Sequence, residues 1–417
     1  MTLKVKYIAF TASRGGAAKA MFRQAQIVNK NNLCIEIINM ESPLRVNNID
    51  GIKITSPNRF LFSINFIKRC LSFFLLKLMK TKNNSKHSLN LFNNRFIKNK
   101  ISDGDITHIH WINNETLSIK DIYNISIRTK CFMTLHDEWT YLGCQHYRED
   151  NEEEKSFFSK KNNIEYNFKS IIDLNWFNFK RKKKYLTCAN LTYIVPSQWM
   201  AEQAKNSILL RNARIEVIPN VINFDVFRRT EKKETDKFKI CFGAINGNKN
   251  PIKGFDLLVK ALNIISKENT NHNIELFIFG GNYTYIKELE KFNCTWLNHI
   301  TDENELAKIY SSCHITVVPS RIESFGQVAA ESIACGTPVV CFDTSGLKDI
   351  VIHKENGYLA EPFNIRSLSN GILYFYKLNT TNYEEISLAC PKTIYSKLNA
   401  DIVGNKLITL YRENSND

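Results

Sequence analysis

Short apolar runs of strand length, most of them separated by segments of helical length, constrain this chain more than any other feature. In the first half they fall at residues 5–10, 33–38, 106–110, 130–135, 191–195 and 215–218; in the second, at 238–243, 274–279, 315–318 and 339–342. Such alternation favours parallel strands joined by crossover helices. The predicted class is therefore α/β, as doubly wound parallel sheets, and a length of 417 residues suits two of them. The polar stretch 220–237, ending in the charged run 228–237, reads as the connection. The expected division is a first Rossmann-like domain at 1–220, a second at 221–390, and a last helical segment at 391–417.

A hydrophobic fraction of 43% with 12% aromatics excludes a disordered chain. Eleven cysteines lie scattered without CxxC pairs, and residues 1–10 read as a strand instead of a secretion signal. A reducing cytoplasm is the expectation. The net charge of +15, from 56 basic and 41 acidic residues, is unevenly placed: between Gly51 and Lys100 there is no Asp or Glu, against eleven Lys and Arg. Ser56-Pro57 reads as the start of a helix there, with Ser56 as N-cap. Phe60, Ile64, Ile67, Leu71, Phe74, Leu75 and Leu78 then recur at helical spacing. Lys68 and Arg69 interrupt the apolar run, which argues against a membrane span. A basic amphipathic helix instead suits an anionic membrane surface, at roughly 1 kcal/mol per basic residue. The competing reading is an ordinary core face. No recognition motif accompanies the charge, so nucleic acid is not expected as a partner.

Residues 320–343, SRIESFGQVAAESIACGTPVVCFD, hold the chemistry-bearing pattern. Glu323 follows the strand at 315–318, where an open parallel sheet binds its ligands. The amides of Phe325, Gly326, Gln327 and Val328 would open the next helix and favour a phosphate there. Glu331 lies eight residues past Glu323 among small residues, on a helix face suited to close packing. A carboxylate in that setting needs hydrogen-bond donors, which sugar hydroxyls supply. The plain alternative is two solvated glutamates on an amphipathic helix.

With Ser324-Phe325-Gly326, Gly336-Thr337-Pro338 and Ser345-Gly346-Leu347, this segment resembles the E-x7-E motif of the retaining glycosyltransferases of family four, which have the GT-B fold. The resemblance implies two Rossmann-like domains facing across a cleft, with the last helices, about 395–412, crossing back to the first. It implies that Glu331 holds the donor ribose and that Glu323 lies by the transferring sugar. The donor would be a UDP- or GDP-linked sugar, with no other cofactor. Gly15 and Gly16 match the glycine-rich loop of that family, with Arg14 and Lys19 as anion contacts. His108 to Asn114 and Thr134 to Trp139 resemble the "HWIN" and "TLHD-W" signatures of a subgroup making colanic-acid-like and O-antigen polysaccharides. His136 would then contact the donor sugar, and Asn113 a sugar or acceptor. Lys253 matches a lysine that offsets the leaving diphosphate. The arginine that accompanies it in the family is missing from Ile245 to Lys249, which leaves Lys249 as a substitute or the amides alone to carry that charge.

The implied activity is a metal-independent transferase, peripheral on the inner face of the membrane, acting on a lipid-linked oligosaccharide in surface polysaccharide assembly. Another GT-B enzyme, an epimerase or phosphorylase, and a non-catalytic membrane-binding scaffold are the alternatives. No metal is expected. Asp103-Gly104-Asp105 precedes a strand and reads as a turn. The stretch Gly143 to Tyr147 runs into the acidic 149–154 without the cysteines of the subgroup. The basic run Lys180 to Lys184 reads as a solvated helix face.

Overall fold

A computed structural model of the chain describes residues 3–41, 48–79, 83, 85–148, 173–230, 236–245, 247, 249–268 and 273–413. The acidic run 149–154, residues 231–235 of the charged stretch, Lys80, Lys82, Asn246 and Asn248 lie outside the described residues. The chain divides into two compact units: Met1–Ile218 with Gly404–Asp417, and Pro219–Val403.

The first unit runs β1 (Lys4–Ala9), α1 (Gly16–Lys30), β2 (Cys34–Asn39), β3 (Asn48–Ile49), β4 (Ile52–Thr55), α2 (Arg59–Lys77), α3 (Arg95–Lys98) and β5 (Ile106–Ile109). It continues with α4 (Ile119–Ser126), β6 (Lys130–Thr134), α5 (Leu174–Leu186), β7 (Leu191–Val195), α6 (Gln198–Asn206) and β8 (Arg214–Val217). Its sheet has the order β3-β4-β2-β1-β5-β6-β7-β8, parallel except for the β3–β4 edge. The order reverses between β1 and β5, which makes that crevice the expected ligand site.

In the second unit follow β9 (Phe238–Gly243), α7 (Phe255–Glu268), β10 (Ile274–Phe279), β11 (Asn293–Trp296), α8 (Glu303–Ser312) and β12 (Ile315–Val318). Then come α9 (Gln327–Ala334), β13 (Val339–Phe342), β14 (Gly357–Ala360), α10 (Ile365–Tyr376) and α11 (Thr380–Leu398). The sheet is wholly parallel, ordered β11-β10-β9-β12-β13-β14, and reverses between β9 and β12. Both faces are covered. Ile240, Leu258, Leu262, Ile278 and Val317 pack on one side, and Cys241, Tyr310, Val318 and Ile333 on the other. Successive residues thus alternate between faces, as pleating requires. The stretch 219–230 packs with this unit: Val221, Ile222 and Phe227 are buried, and Arg229 bonds Ser387 and Glu384.

The final helix, α12 (Ala400–Arg412), begins in the second unit and ends in the first. Its Tyr411 hydroxyl meets the Tyr7 hydroxyl at 2.9 Å and the Nδ1 of His108, and all three side chains are buried.

Two elements depart from the sequence reading. α2 is capped by Asn58, whose side chain accepts from Leu61 N at 2.9 Å. Ser56 does not cap it, because its hydroxyl takes a hydrogen bond from the Asn39 side chain. Within the run Lys180 to Lys184, Lys182 is fully buried. Its ammonium donates to the carbonyls of Trp139, Leu142 and Gly143 and lies 3.7 Å over the Trp139 ring. Burial holds its pKa well below the usual lysine value. The expected solvated face is therefore corrected at Lys182, and in part at Arg181, which is half-buried and donates to the Leu89 and Asn90 carbonyls.

Helix α2 is inverted. Its only buried residues are Asn65 and Ser72, while Phe60, Ile67, Leu71, Phe74 and Leu78 are 49–71% exposed. Those five stand at i, i+7, i+11, i+14 and i+18, a single stripe down one face. Among the described residues no helix is long and apolar enough to cross a membrane.

Candidate active site

In the second unit the site grows from the β9/β12 reversal. β12 delivers Pro319 to Glu323, and β9 leads through a loop to Lys253 at the start of α7. Gly254 joins the two: its φ is +67°, and a Cβ there would stand 1.9 Å from the Pro319 carbonyl oxygen. Only glycine allows that approach. Lys253 Nζ then reaches Glu323 Oε1 at 2.6 Å, and Ser320 Oγ donates to the same oxygen at 2.9 Å.

The main chain of Glu323 is clamped from a third segment. Its N–H donates to Ser345 Oγ at 3.0 Å, and its carbonyl accepts from Gly346 N at 2.8 Å. A Cβ on Gly346 would meet the Ser324 carbonyl oxygen at 2.6 Å. Ser345 itself holds a φ of +52°, a conformation a non-glycine residue adopts at a cost of about 1–3 kcal/mol when its surroundings enforce it. The Ser345-Gly346-Leu347 motif is thus a backbone vice on Glu323.

Helix α9 opens at Gln327, with Gly326 as its cap residue and no side-chain cap bond. Its first intrahelical bond runs from Ala330 N to Gly326 O. The amides of Gln327, Val328 and Ala329 therefore lie outside the helical ladder, where a helix accepts an anion. Phe325 is buried beneath this turn, in the core with Leu347. Glu331, 4% exposed, accepts a hydrogen bond from Gln327 Nε2 at 2.9 Å. The structure thus joins Lys253 directly to Glu323 and sets Glu331 on α9, four residues past its opening residue Gln327. Lys249 is exposed on the β9 loop. Arg321, which no sequence signal singled out, stands at the same loop but is held by both oxygens of Asp256 at 2.9 and 2.8 Å. That pairing lowers the Asp256 pKa, and it fixes the guanidinium to the protein.

In the first unit the β1/β5 reversal carries a cavity of about 310 Å³, lined by Arg14, Gly15, Gly16, Lys86, Trp111 and Asn114 among others. Gly15, at φ +90°, caps α1 with nothing within 4 Å of where a Cβ would stand, so the helix start faces open space. Arg14 is largely exposed and lies 3.5 Å from Glu41. Lys19 is half-buried on α1 and does not line the cavity. Asn113 is buried, its side-chain oxygen lacking a hydrogen bond; its neighbour Asn114 forms the wall instead.

His136, beyond β6, is half-buried and shares a 3.1 Å hydrogen bond with His110 Nδ1. His110 stacks in turn on His108 at 4.2 Å between ring centroids. Burial holds His136 down to about 4 against a smaller opposing effect of Asp137, and holds His108 down to about 3. Burial, with His108 and His136 beside it, also keeps His110 well below the ordinary histidine value. All three rings are neutral at pH 7. Asp137 is spent on structure: it accepts from Trp111 Nε1 at 2.9 Å, from Trp139 N at 3.0 Å and bonds His146 Nδ1 at 2.7 Å. This polar knot around Asp137 was not anticipated, because its members come from three loops.

Asp103 pairs with Arg128 at 2.6 Å and Asp105 accepts from Ser102 N, so the triplet forms a turn with its carboxylates engaged. Among the described residues no group of three His, Cys, Asp or Glu is placed to hold a metal ion.

Comparison with known proteins centres on the second unit. Residues 223–387 match the family model described as Glycosyl transferases group 1. An uncharacterized glycosyltransferase of Methanocaldococcus jannaschii is 32% identical over 197 residues, 46% of this chain and 51% of that protein. A D-inositol 3-phosphate glycosyltransferase of Xylanimonas cellulosilytica is 32% identical over 187 residues, 38% and 43% of the two chains. The chain thus spans about half the length of these curated relatives. Among solved structures, sucrose-phosphate synthase of Thermosynechococcus elongatus superposes with a TM-score of 0.69 at 16% identity, over 99% of this chain and 98% of that one. Anabaena HepE, solved with UDP and glucose, gives 0.65 at 14% identity, over 99% and 100%. The chain therefore has the GT-B fold of two parallel-sheet α/β units, and residues 223–387 of its second unit are similar to the group 1 glycosyl transferases.

Proposed function

We propose that this chain is a metal-independent retaining glycosyltransferase, moving a sugar from a nucleotide donor to a lipid-linked saccharide at a membrane surface. The observation that carries the reading is the Lys253–Glu323 pair at the β9/β12 reversal, followed by the unladdered amides of α9 and by Glu331 on the same helix. In this reading the donor diphosphate lies on the α9 amides, where partial positive charge is already in place and needs no reorganisation. Ribose hydroxyls donate to Glu331, a nearly buried carboxylate. Glu323 sits by the sugar. Its backbone clamp fixes where its carboxylate stands, and positioning of that kind lowers a barrier. Lys253 is matched by Glu323 and is drawn toward the diphosphate as negative charge builds on the departing group.

His136, neutral, offers the sugar a hydrogen bond without adding charge. The first unit receives the acceptor at the β1/β5 cavity, with Gly15, Gly16, Arg14 and Asn114 in its wall. The inverted face of α2 supports peripheral attachment to the membrane. Burying one large apolar side chain contributes about 1.5–3 kcal/mol, and five stand exposed on one stripe. Surface polysaccharide assembly on the cytoplasmic side of the membrane is the setting that fits such a lipid-borne acceptor. That HepE has been solved with UDP and with UDP-glucose favours a uridine nucleotide.

Calorimetry with UDP and GDP, without added metal, tests the donor half. One nucleotide is expected to bind, with Glu331→Ala weakening it by about 1–3 kcal/mol. A folded wild type that binds neither nucleotide refutes the proposal.

A further inference from the structure

A second concavity of the first unit, about 370 Å³, lies between α2 and the segment 86–88. It shares Lys86 and Asn114 with the walls of the β1/β5 cavity, so the two adjoin. Arg69, Lys77 and Lys86 line it, together with the apolar Phe73, Leu76 and Met79. The one acidic residue in its wall is Glu115, whose oxygens are turned to protein donors: Ser72 Oγ at 2.7 Å, and Leu91 N and Phe92 N at 2.7 and 3.0 Å. Three cations therefore line this concavity against one carboxylate in its wall, with Glu41 acting on Arg69 and Asp137 on Lys86 from outside it. The helix that supplies two of them also carries the exposed stripe from Phe60 to Leu78.

We infer that this concavity binds the phosphate of a long-chain phosphorylated amphiphile, the lipid carrier of the acceptor. Arg69 offers a planar fork of donors suited to phosphate oxygens, and the two lysines add point charge. A neutral saccharide needs no such cluster, and a soluble anion needs no apolar flank. The alkyl chain leaves past Phe73 and Leu76 toward the exposed stripe. A saccharide on that phosphate then extends toward Lys86 and Asn114 into the adjoining cavity. The inference rests on the lipid-linked acceptor proposed above and assigns its head group a place.

The full chain is sedimented with phosphatidylcholine vesicles containing hexadecyl phosphate, and with vesicles brought to the same surface potential by phosphatidylglycerol. The wild type is expected to prefer the phosphate monoester by about tenfold, as one well-made charged contact provides. In Arg69→Gln/Lys86→Gln that preference disappears while adsorption to phosphatidylglycerol largely remains. In Leu71→Ser/Phe74→Ser both kinds of binding fall. Equal wild-type binding to the two vesicles, or equal losses on both in the Arg69→Gln/Lys86→Gln variant, overturns the site and leaves only surface adsorption. UDP and GDP calorimetry on the same preparations separates the two proposals. A retained lipid preference with no nucleotide binding removes the transferase reading alone, and an unchanged melting transition of the first unit in the glutamine variant shows that it is folded.

Discussion

At the β9/β12 crevice cations meet carboxylates: Lys253 with Glu323, and Arg321 with Asp256. Around α2 they lie on rings instead: Lys86 over Trp111 at 4.2 Å, Arg69 over Phe10 at 4.8 Å and Lys77 over Phe73 at 4.7 Å. An aromatic face attracts a cation by about 0.5–1 kcal/mol at exposed sites but cancels none of its charge. The crevice of the second unit is therefore balanced and holds its groups in fixed geometry. The surroundings of α2 keep a net positive field directed outward. The family model covers only the balanced region. That region holds the donor half of the proposed reaction, and the basic, apolar surface of the first unit holds the proposed acceptor half.

The comparison breaks most visibly with pH. A buried histidine held neutral stabilises the fold less as pH falls, because the unfolded chain takes up protons first, from about pH 6.5. His108, held down to about 3, removes about 2 kcal/mol of stability between pH 7 and pH 5, and His110 and His136, also held down, act in the same direction. The first unit is thus expected to lose at least about 2 kcal/mol of stability at pH 5 relative to pH 7. Melting followed separately by a first-unit and a second-unit probe checks this, and equal shifts in both units would deny the stack its role.

Next in size is Lys253→Ala, expected to weaken nucleoside diphosphate binding by about 1.5–3 kcal/mol, the usual loss of a charged hydrogen bond. Glu323→Ala frees the same lysine, so diphosphate affinity should hold or rise. Calorimetry on the pair reveals whether the lysine serves the diphosphate or only the glutamate. Ser345→Ala removes one bond to the Glu323 amide and should destabilise the second unit by about 1 kcal/mol in urea titrations. The smallest effect is expected for Leu71→Ala and Phe74→Ala, within about 0.5 kcal/mol of wild-type stability because both side chains are already in water. A loss of several kcal/mol there would show that the stripe is core.

Much of this was legible in the sequence because central strands, buried on both faces, read as unbroken apolar runs. Ile315–Val318 and Val339–Phe342 were read at their observed limits. The strands β3, β4, β11 and β14 were not, and each lies at or next to a sheet edge. Asn293–Trp296 is half exposed and Gly357–Ala360 opens on glycine, so neither announces a strand. Lys182 was misread for a related reason. The buried face of α5 is Asn175, Asn178, Phe179, Lys182 and Leu186, helical in spacing but mostly polar in composition. Periodicity was present there without hydrophobicity to mark it. The vice on Glu323 was legible only as a motif. That Ser345 and Gly346 grip the glutamate from 22 residues away required the fold.

One consequence concerns synthesis. The first unit is interrupted by the whole of the second and resumes only at Gly404. Tyr7 and His108 leave the ribosome early, yet the hydroxyl that joins them arrives with Tyr411. Domains emerging in sequence ordinarily fold in that order. Here the contiguous second unit is complete in sequence before the first, whose sheet lacks the last turns of α12 until Tyr411 is made. A stop codon before Tyr411 would leave a complete second unit attached to a first whose buried histidine ladder has lost its end.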